Sequence, residues 1–397
     1  MTGITPMTSA NRTRYQGTTC KGGRPECKHA TPKKKHTRAL KTQRRRGLPR
    51  TQPNNARSAD SGEGDTFTPT STPAVTSWLA SGETQTVHPS KRRLLASLAL
   101  LGEKERGECW LLPDELASRE LTLKRQILDD ENTKYKHVVA RSWSLPAAVE
   151  ASELIVAAVA RHVGDDVPDG YARASDGSLV KRDLFEDAPL EFAARLMQED
   201  VALLRYDPNK KMHVFDAACV CFSFDRVPER LGLPMSAVHE RVGDYERDLE
   251  RAVENIIAKL KPERPLYRTN WALAWSDDLM HTPDRYPWRD GADEDEMARV
   301  ALKRLEDRGV GNALFLKVEY QTLIRLEQNS DALLFTVRVL VEPLADSVSR
   351  ATREGERVAR NLHRQIANLP DAYAKYKGLG DARVRREVLA YLQAHYE

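Results

Sequence analysis

The sequence predicts an α+β protein that carries a long, disordered and basic N-terminal tail. Two kinds of pattern predict the fold class: segments with apolar residues at helical spacing, and segments with apolar residues at every second position. The tail is predicted by composition, because the first 50 residues hold 14 Lys and Arg but one acid, Glu26. We therefore place the tail over residues 1–105 and a single folded domain over residues 106–397.

Charge and composition exclude several functional classes. The 397 residues carry a net charge of +4, so those after residue 50 carry about −9. An acidic body argues against a basic groove, and we do not expect nucleic acid as a partner. No run approaches the roughly 20 apolar residues of a membrane span. Five scattered cysteines make no disulfide scaffold, so we expect an intracellular protein, cytoplasmic first, with mitochondrial and nuclear locations left open.

The first half of the predicted domain alternates helices and strands. Residues 147–163 are apolar at helical spacing and predict a buried helix. Residues 187–206 contain a second helix, and the Val-, Phe- and Cys-rich residues 212–224 predict strands. Residues 244–260 form an amphipathic helix that Pro262 stops.

The second half contains the most regular pattern. After a polar loop over residues 285–296, residues 314–323 alternate between apolar and polar side chains. Turn-forming residues follow, and residues 333–341 alternate again, so we predict an antiparallel hairpin. A final helix is predicted over residues 346–369, before Pro370.

Common catalytic motifs are absent from the sequence. It contains no glycine-rich phosphate loop, no GxSxG elbow, no HExxH and no CxxC. Generic motifs therefore do not assign a reaction class.

Four local clusters carry a more specific signal. In chain order they are Met197-Gln198-Glu199-Asp200, Leu231-Gly232-Leu233-Pro234 with Val238-His239, Arg268-Thr269-Asn270-Trp271, and Glu319-Tyr320-Gln321-Thr322-Leu323 leading into Leu334-Phe335-Thr336-Val337-Arg338. Together they resemble the haem-dependent oxidative N-demethylase-like family, which includes catalytic subunits of dimethylamine monooxygenase. The resemblance covers residues 109–369.

The resemblance implies a fold, a cofactor and partners. The fold is a PAS-like antiparallel sheet wrapped by helices, and the cofactor is haem b. A separate flavin and iron–sulfur reductase delivers electrons from NADPH. The implied reaction uses O2 to oxidise an N-methyl group of a small amine and releases formaldehyde.

Two residues receive the central roles. His239 matches the family's motif histidine, which implies an axial ligand to the haem iron; the alternative is a solvated loop histidine. His213 and His281 are further candidates for this ligand. Glu319 shares a strand face with Lys317, and the resemblance implies that it anchors the substrate ammonium or passes protons to O2. The alternative for Glu319 is an exposed carboxylate paired with Lys317.

Two arginines are candidates for cofactor binding. Arg268 and Arg338 carry guanidinium groups suited to haem propionates. The alternative is structural pairing with carboxylates such as Glu199 and Asp200.

The remaining pocket candidates are Asn270 and Gln321. The sequence also departs from the family pattern, because two motif prolines are replaced by Arg241 and Gly243, and the usual Arg after Glu319 is replaced by a tyrosine, Tyr320. These departures favour a second hypothesis, a catalytically silent PAS-like haem sensor or binding module. A third is a nucleic-acid-associated protein that acts through the basic tail.

Overall fold

The computed structural model describes residues 99–100, 110–130, 137–139, 145–223, 227–240, 242, 245–279 and 293–397. The chain divides into two units, Met1–Asp65 and Thr66–Glu397, and every described residue belongs to the second. The predicted tail lies outside the described residues, apart from the short strand β1 (Ala99–Leu100).

Both helices and antiparallel strands occur along the described chain, as predicted for an α+β protein. The remaining strands are β2 (His137–Val139), β3 (Tyr171–Arg173), β4 (Leu179–Lys181), β5 (Asp200–Asp207), β6 (Met212–Val220), β7 (Leu266–Ala274), β8 (Phe315–Arg325) and β9 (Ala332–Pro343). The helices are α1 (Ala117–Asp129), α2 (Leu145–Val163), α3 (Pro189–Ala194), α4 (Val227–Arg230), α5 (Met235–Val238), α6 (Arg251–Ala258), α7 (Glu294–Arg308), α8 (Val310–Ala313), α9 (Leu344–Ser347), α10 (Arg353–Ala367), α11 (Asp371–Tyr376) and α12 (Ala382–Gln393).

Seven of the described strands form one antiparallel sheet. Its order is β1-β7-β8-β9-β5-β6-β2, and β3 and β4 form a separate two-stranded sheet. β8 and β9 are the predicted hairpin, in register from Phe315 opposite Pro343 to Arg325 opposite Leu333. The predicted α+β class and the hairpin are confirmed.

Two helix predictions are confirmed at nearly the expected bounds. The predicted helix over residues 147–163 is α2, which begins two residues earlier. The amphipathic segment over residues 244–260 begins with a π-helical turn, Glu246–Glu250, and continues as α6.

The helix predicted within residues 187–206 is shorter than its apolar pattern indicates. It ends at Ala194, and Val201, which we placed on its apolar side, lies in β5. The first residue of β5, Asp200, explains the change of structure. Its carboxylate accepts hydrogen bonds from the backbone N–H groups of residues 221–223, so it fixes the strand against the end of β6.

The final helix predicted over residues 346–369 is divided into α9 and α10. α10 has its own N-cap, because the Thr352 hydroxyl oxygen accepts a hydrogen bond from the Gly355 N–H. The predicted polar loop over residues 285–296 also ends early. Asp293 caps α7, and residues 285–292 of the predicted loop lie outside the described residues.

A local apolar cluster places helices on the sheet next to the site. Met235 of α5 and Ile257 near the end of α6 are buried in this cluster with Leu204, Phe215 and Leu333 from three strands. This packing fixes α5 against the sheet.

Candidate functional site

His239 lies at the C-terminal end of α5. Its Nδ1 is 2.7 Å from the carbonyl oxygen of Met235, one turn earlier. A carbonyl oxygen can only accept a hydrogen bond, so Nδ1 carries the proton and Nε2 keeps its lone pair. Imidazoles that ligate metals are oriented in this way by a hydrogen bond from the other nitrogen.

The His239 ring is also held by stacking. Its plane lies 5° from that of Tyr245, and the ring centroids are 4.5 Å apart. The pKa of His239 is lowered to about 4, chiefly by burial and also by the charges of Arg268 and Arg230, whereas the charge of Glu319 raises it. The imidazole is therefore neutral at pH 7, which is the form that binds iron.

The sheet contributes four of the predicted site residues. Arg268 lies opposite Gln321, and Asn270 lies opposite Glu319, in the β7–β8 ladder. Residues directly opposite each other place their side chains on the same face, and alternate residues of one strand share a face. The four side chains therefore lie together on one face of the sheet.

Glu319 is the carboxylate of this group. Gln321 Nε2 donates to Glu319 Oε2 at 3.0 Å, and Lys317 Nζ lies 3.6 Å from Oε1. The Glu319 side chain is 19% exposed and that of Lys317 is 8% exposed. The expected pairing with Lys317 is present, but the pair is largely buried and does not extend into solvent.

Arg268 has an incompletely paired guanidinium group. Its Nε and Nη2 are buried and have no hydrogen-bond partner among the described residues. Burial lowers the pKa of Arg268, while Tyr376, Glu319 and Tyr245 act in the opposite direction. Because a buried donor without an acceptor is costly, these two atoms indicate a place for an acceptor such as a carboxylate.

Two residues after the last predicted element also reach the site. Burial raises the pKa of Tyr376, and the charges of Glu319 and Arg268 also act on this phenol. Lys377 is completely buried, and its Nζ donates to Asn270 Oδ1 at 2.7 Å. No motif or periodicity singled out these residues, because they lie at the end of the short helix α11 and meet β7 only in the folded chain.

Three side chains around the site are partly accessible to solvent although protein surrounds them. His239 and Arg268 are only partly buried by surface accessibility, and Tyr376 is 38% exposed. Burial is nevertheless the largest influence on the pKa of each of the three groups. A side chain that a water molecule can touch, but that protein surrounds, is typical of a pocket wall.

Arg338 does not join the other predicted site residues. It lies opposite Tyr320 in the β8–β9 ladder, on the face away from Glu319. Its Nη2 is 2.9 Å from Asp114 Oδ2, and its Nη1 is 2.7 Å from Glu120 Oε2. This is structural pairing, although the carboxylates differ from those named in the sequence analysis. We therefore leave Arg338 out of the site.

Tyr320, which replaces the family's usual arginine, also faces away from Glu319. Its ring stacks on that of Tyr267, with 5.6 Å between the centroids. Both residues lie on the face that carries Arg338, as the strand register requires. The loss of the arginine therefore does not remove a charge from the face that carries the site.

The other candidate ligands lie elsewhere or outside the described residues. His213 on β6 directs Nδ1 to Glu254 Oε2 at 2.9 Å, so that imidazole is paired with a carboxylate. His281, Arg241 and Gly243 lie outside the described residues.

The described residues contain no group of three or more His, Cys, Asp or Glu side chains arranged to hold a metal ion. A haem needs no such group, because its iron takes one or two axial ligands from the protein. None of the described helices has the length and apolar character to cross a membrane.

Fold and site together define an α+β protein with a cluster of polar and charged side chains on one face of its antiparallel sheet. The sequence pattern of the family described as haem-dependent oxidative N-demethylase, alpha subunit-like, matches residues 103–388, and the chain belongs to this family. The description indicates haem dependence and a multi-component system. The family inferred from the four clusters is confirmed.

Proposed function

We propose that this chain binds haem b beside the face of β7 and β8 that carries Glu319. We further propose that it oxidises an N-methyl group of a small amine with O2. The electrons come from a separate flavin and iron–sulfur reductase. The observation that carries the proposal is the geometry of His239, a neutral and oriented imidazole whose Nε2 lone pair remains available.

The sheet order supports a PAS-like fold around this cofactor. The five long strands lie across the sheet in the order β6-β5-β9-β8-β7. If β5 is counted as the first strand and β9 as the fifth, this order is 2-1-5-4-3. Helices α4, α5 and α6 lie between the second and third of these strands. This is the strand order of a PAS-like sheet, with the helices beside one face of it.

The residues present fit a haem. An axial ligand needs a neutral imidazole fixed by a hydrogen bond from its other nitrogen, and His239 meets both conditions. The two propionates need cationic donors, and Arg268 has two buried nitrogen atoms that no described residue pairs with. We assign His239 to the iron and Arg268 to a propionate.

The proposed reaction assigns roles to Glu319 and Gln321. An N-methyl amine, O2, two electrons and two protons give the demethylated amine, formaldehyde and water. Bound haem supplies the activation of O2. Glu319 is the carboxylate that holds the substrate ammonium or delivers a proton, and Gln321 orients it through the 3.0 Å hydrogen bond.

Formaldehyde release tests the activity. We expect haem-loaded protein to release formaldehyde from dimethylamine with O2 and a surrogate electron donor. Glu319→Gln keeps the size of the side chain but removes its charge, and should lower kcat about 100-fold. Glu327→Gln, at an exposed position of the β8–β9 turn, is the matched control.

The silent haem-binding module is the second candidate function. A Soret band that shifts with dithionite and CO, without formaldehyde from any methylated amine tested, would favour it over the oxidase. A folded protein without a Soret band after haem supplementation would exclude both functions.

A further inference from the structure

Lys377 is a buried cation that contacts the site from the edge of the sheet. The exposed fraction of its side chain is 0%. Its Nζ donates to Asn270 Oδ1 at 2.7 Å and to the backbone carbonyl oxygen of Trp271. The two acceptors belong to adjacent residues of β7, so Lys377 holds a side chain and the backbone of the same strand.

The local backbone brings Lys377 to this position. Gly378 has φ +77°, and a Cβ there would lie 2.9 Å from the Leu273 carbonyl oxygen. Only glycine allows so close an approach with this backbone conformation. The ammonium also lies 5.5 Å from the ring centroid of Trp271 and 5.2 Å from that of Tyr376.

The chemistry of this contact determines the orientation of the Asn270 amide. An ammonium group has three donors and no acceptor, so only the oxygen of the amide can face it. The amide is planar, and its Nδ2 therefore points away from Lys377. Since Asn270 lies opposite Glu319, the Nδ2 donors lie over the sheet face that carries this carboxylate.

We propose that Lys377 is a positioning residue that orients the Asn270 amide, so that the site presents an N–H donor beside Glu319. The donor would bind an acceptor atom of the molecule bound at the site. The role in turnover rests on the proposed function, whereas the orientation itself can be measured without cofactor.

The orientation of the Asn270 amide depends on the protonation of Lys377. Burial lowers the pKa of Lys377 to about 7; Arg268 and Lys317 also lower it, and Glu319 raises it. The titratable side chain of Tyr376 lies beside the Lys377 ammonium. Above this pH the neutral amine gains a lone pair, which can accept from Asn270 Nδ2, so both amide orientations become available.

The first test uses the cofactor-free chain and the NMR signals of the Asn270 side-chain amide, assigned by their loss in Asn270→Asp. We expect these signals to change with a midpoint near pH 7 in the wild type. In Lys377→Met, the pH dependence should vanish, because the ammonium that fixes the amide oxygen is absent. Lys375→Met is the control, because Lys375 is exposed and paired only with Glu294 among the described residues. Amide signals that are the same in Lys377→Met and the wild type would overturn the proposal.

The second test asks whether the site uses the donor. Asn270→Asp keeps an oxygen toward Lys377 but replaces the N–H donor by an acceptor, so kcat for formaldehyde release should fall about tenfold with the fold retained. Unchanged turnover in this variant would refute the proposal. If no form of the chain releases formaldehyde, the oxidase proposal fails, while the NMR result still decides the orientation. If Lys377→Met does not fold, Lys377→Gln, which retains a polar donor, takes its place in the same comparison.

Discussion

Arg338 Nη2 donates to Asp114 Oδ2 at 2.9 Å and joins the middle of the sheet to the segment that precedes α1. The same guanidinium group lies 2.7 Å from Glu120 Oε2 on α1. All three residues are nearly removed from solvent. Such a network is sensitive to the loss of one member, because the remaining charges cannot be hydrated.

We therefore predict that Arg338→Met lowers the free energy of unfolding by about 3–5 kcal/mol, as measured by urea denaturation. The Soret spectrum of the folded haem-loaded variant should equal that of the wild type, because Arg338 faces away from Glu319. Arg299→Met, at an exposed ion pair, should cost less than about 1 kcal/mol. A changed Soret band in Arg338→Met would return Arg338 to the cofactor site.

Restoring the family's usual arginine at position 320 should lower stability without raising turnover. Tyr320→Arg places a cation at a buried position opposite Arg338, so we expect a loss of stability of about 2 kcal/mol by thermal denaturation. Formaldehyde release at saturating amine should stay at the wild-type level. Tyr320→Phe keeps the ring stacked on Tyr267 and serves as the control. A gain in turnover in Tyr320→Arg would contradict the assigned orientation of this strand.

Glu342 should make stability depend on pH. Burial raises its pKa to about 7, while its hydrogen bond from Ser347 lowers it. The folded state therefore holds this proton where the unfolded state has lost it. Its contribution to stability is complete below pH 4.5 and is lost as the pH rises through about 7.

The corresponding variant is Glu342→Gln, which cannot ionise. We expect it to raise the free energy of unfolding at pH 8 by up to about 3 kcal/mol relative to the wild type, with little effect at pH 4.5. Glu306→Gln, at an exposed position of α7, should show the same pH dependence as the wild type. An equal effect of Glu342→Gln at both pH values would rule out ionisation as its cause.

Periodicity predicted the elements whose pattern is strong and local. The sequence of the hairpin β8–β9 alternates between apolar and polar residues, and α2 has a continuous apolar stripe. These local patterns are sufficient to predict both elements. β7 was not predicted as a strand, although its Arg268-Thr269-Asn270-Trp271 cluster was noted. Its site face carries the polar Arg268 and Asn270, and its other face carries Thr269. The strand therefore lacks the alternation of apolar and polar residues that would predict it.

Motifs and strand alternation predicted part of the site. The alternation in β8 placed Gln321 beside Glu319, and the motif order supplied His239, Arg268 and Asn270. Tyr376 and Lys377 could not be found in this way, since only tertiary structure brings the end of α11 to β7. The same applies to the carboxylates that pair with Arg338, which lie more than 200 residues earlier.

The central claim is that His239 ligates a haem iron, and hemin titration of the cofactor-free chain tests it most directly. We predict stoichiometric uptake by the wild type and by His162→Ala, a control at an exposed histidine. His239→Gly should bind hemin weakly with a shifted Soret band, and added imidazole should restore the wild-type band. A wild-type Soret band in His239→Gly without imidazole would contradict the claim, as would the absence of hemin uptake by the folded wild type.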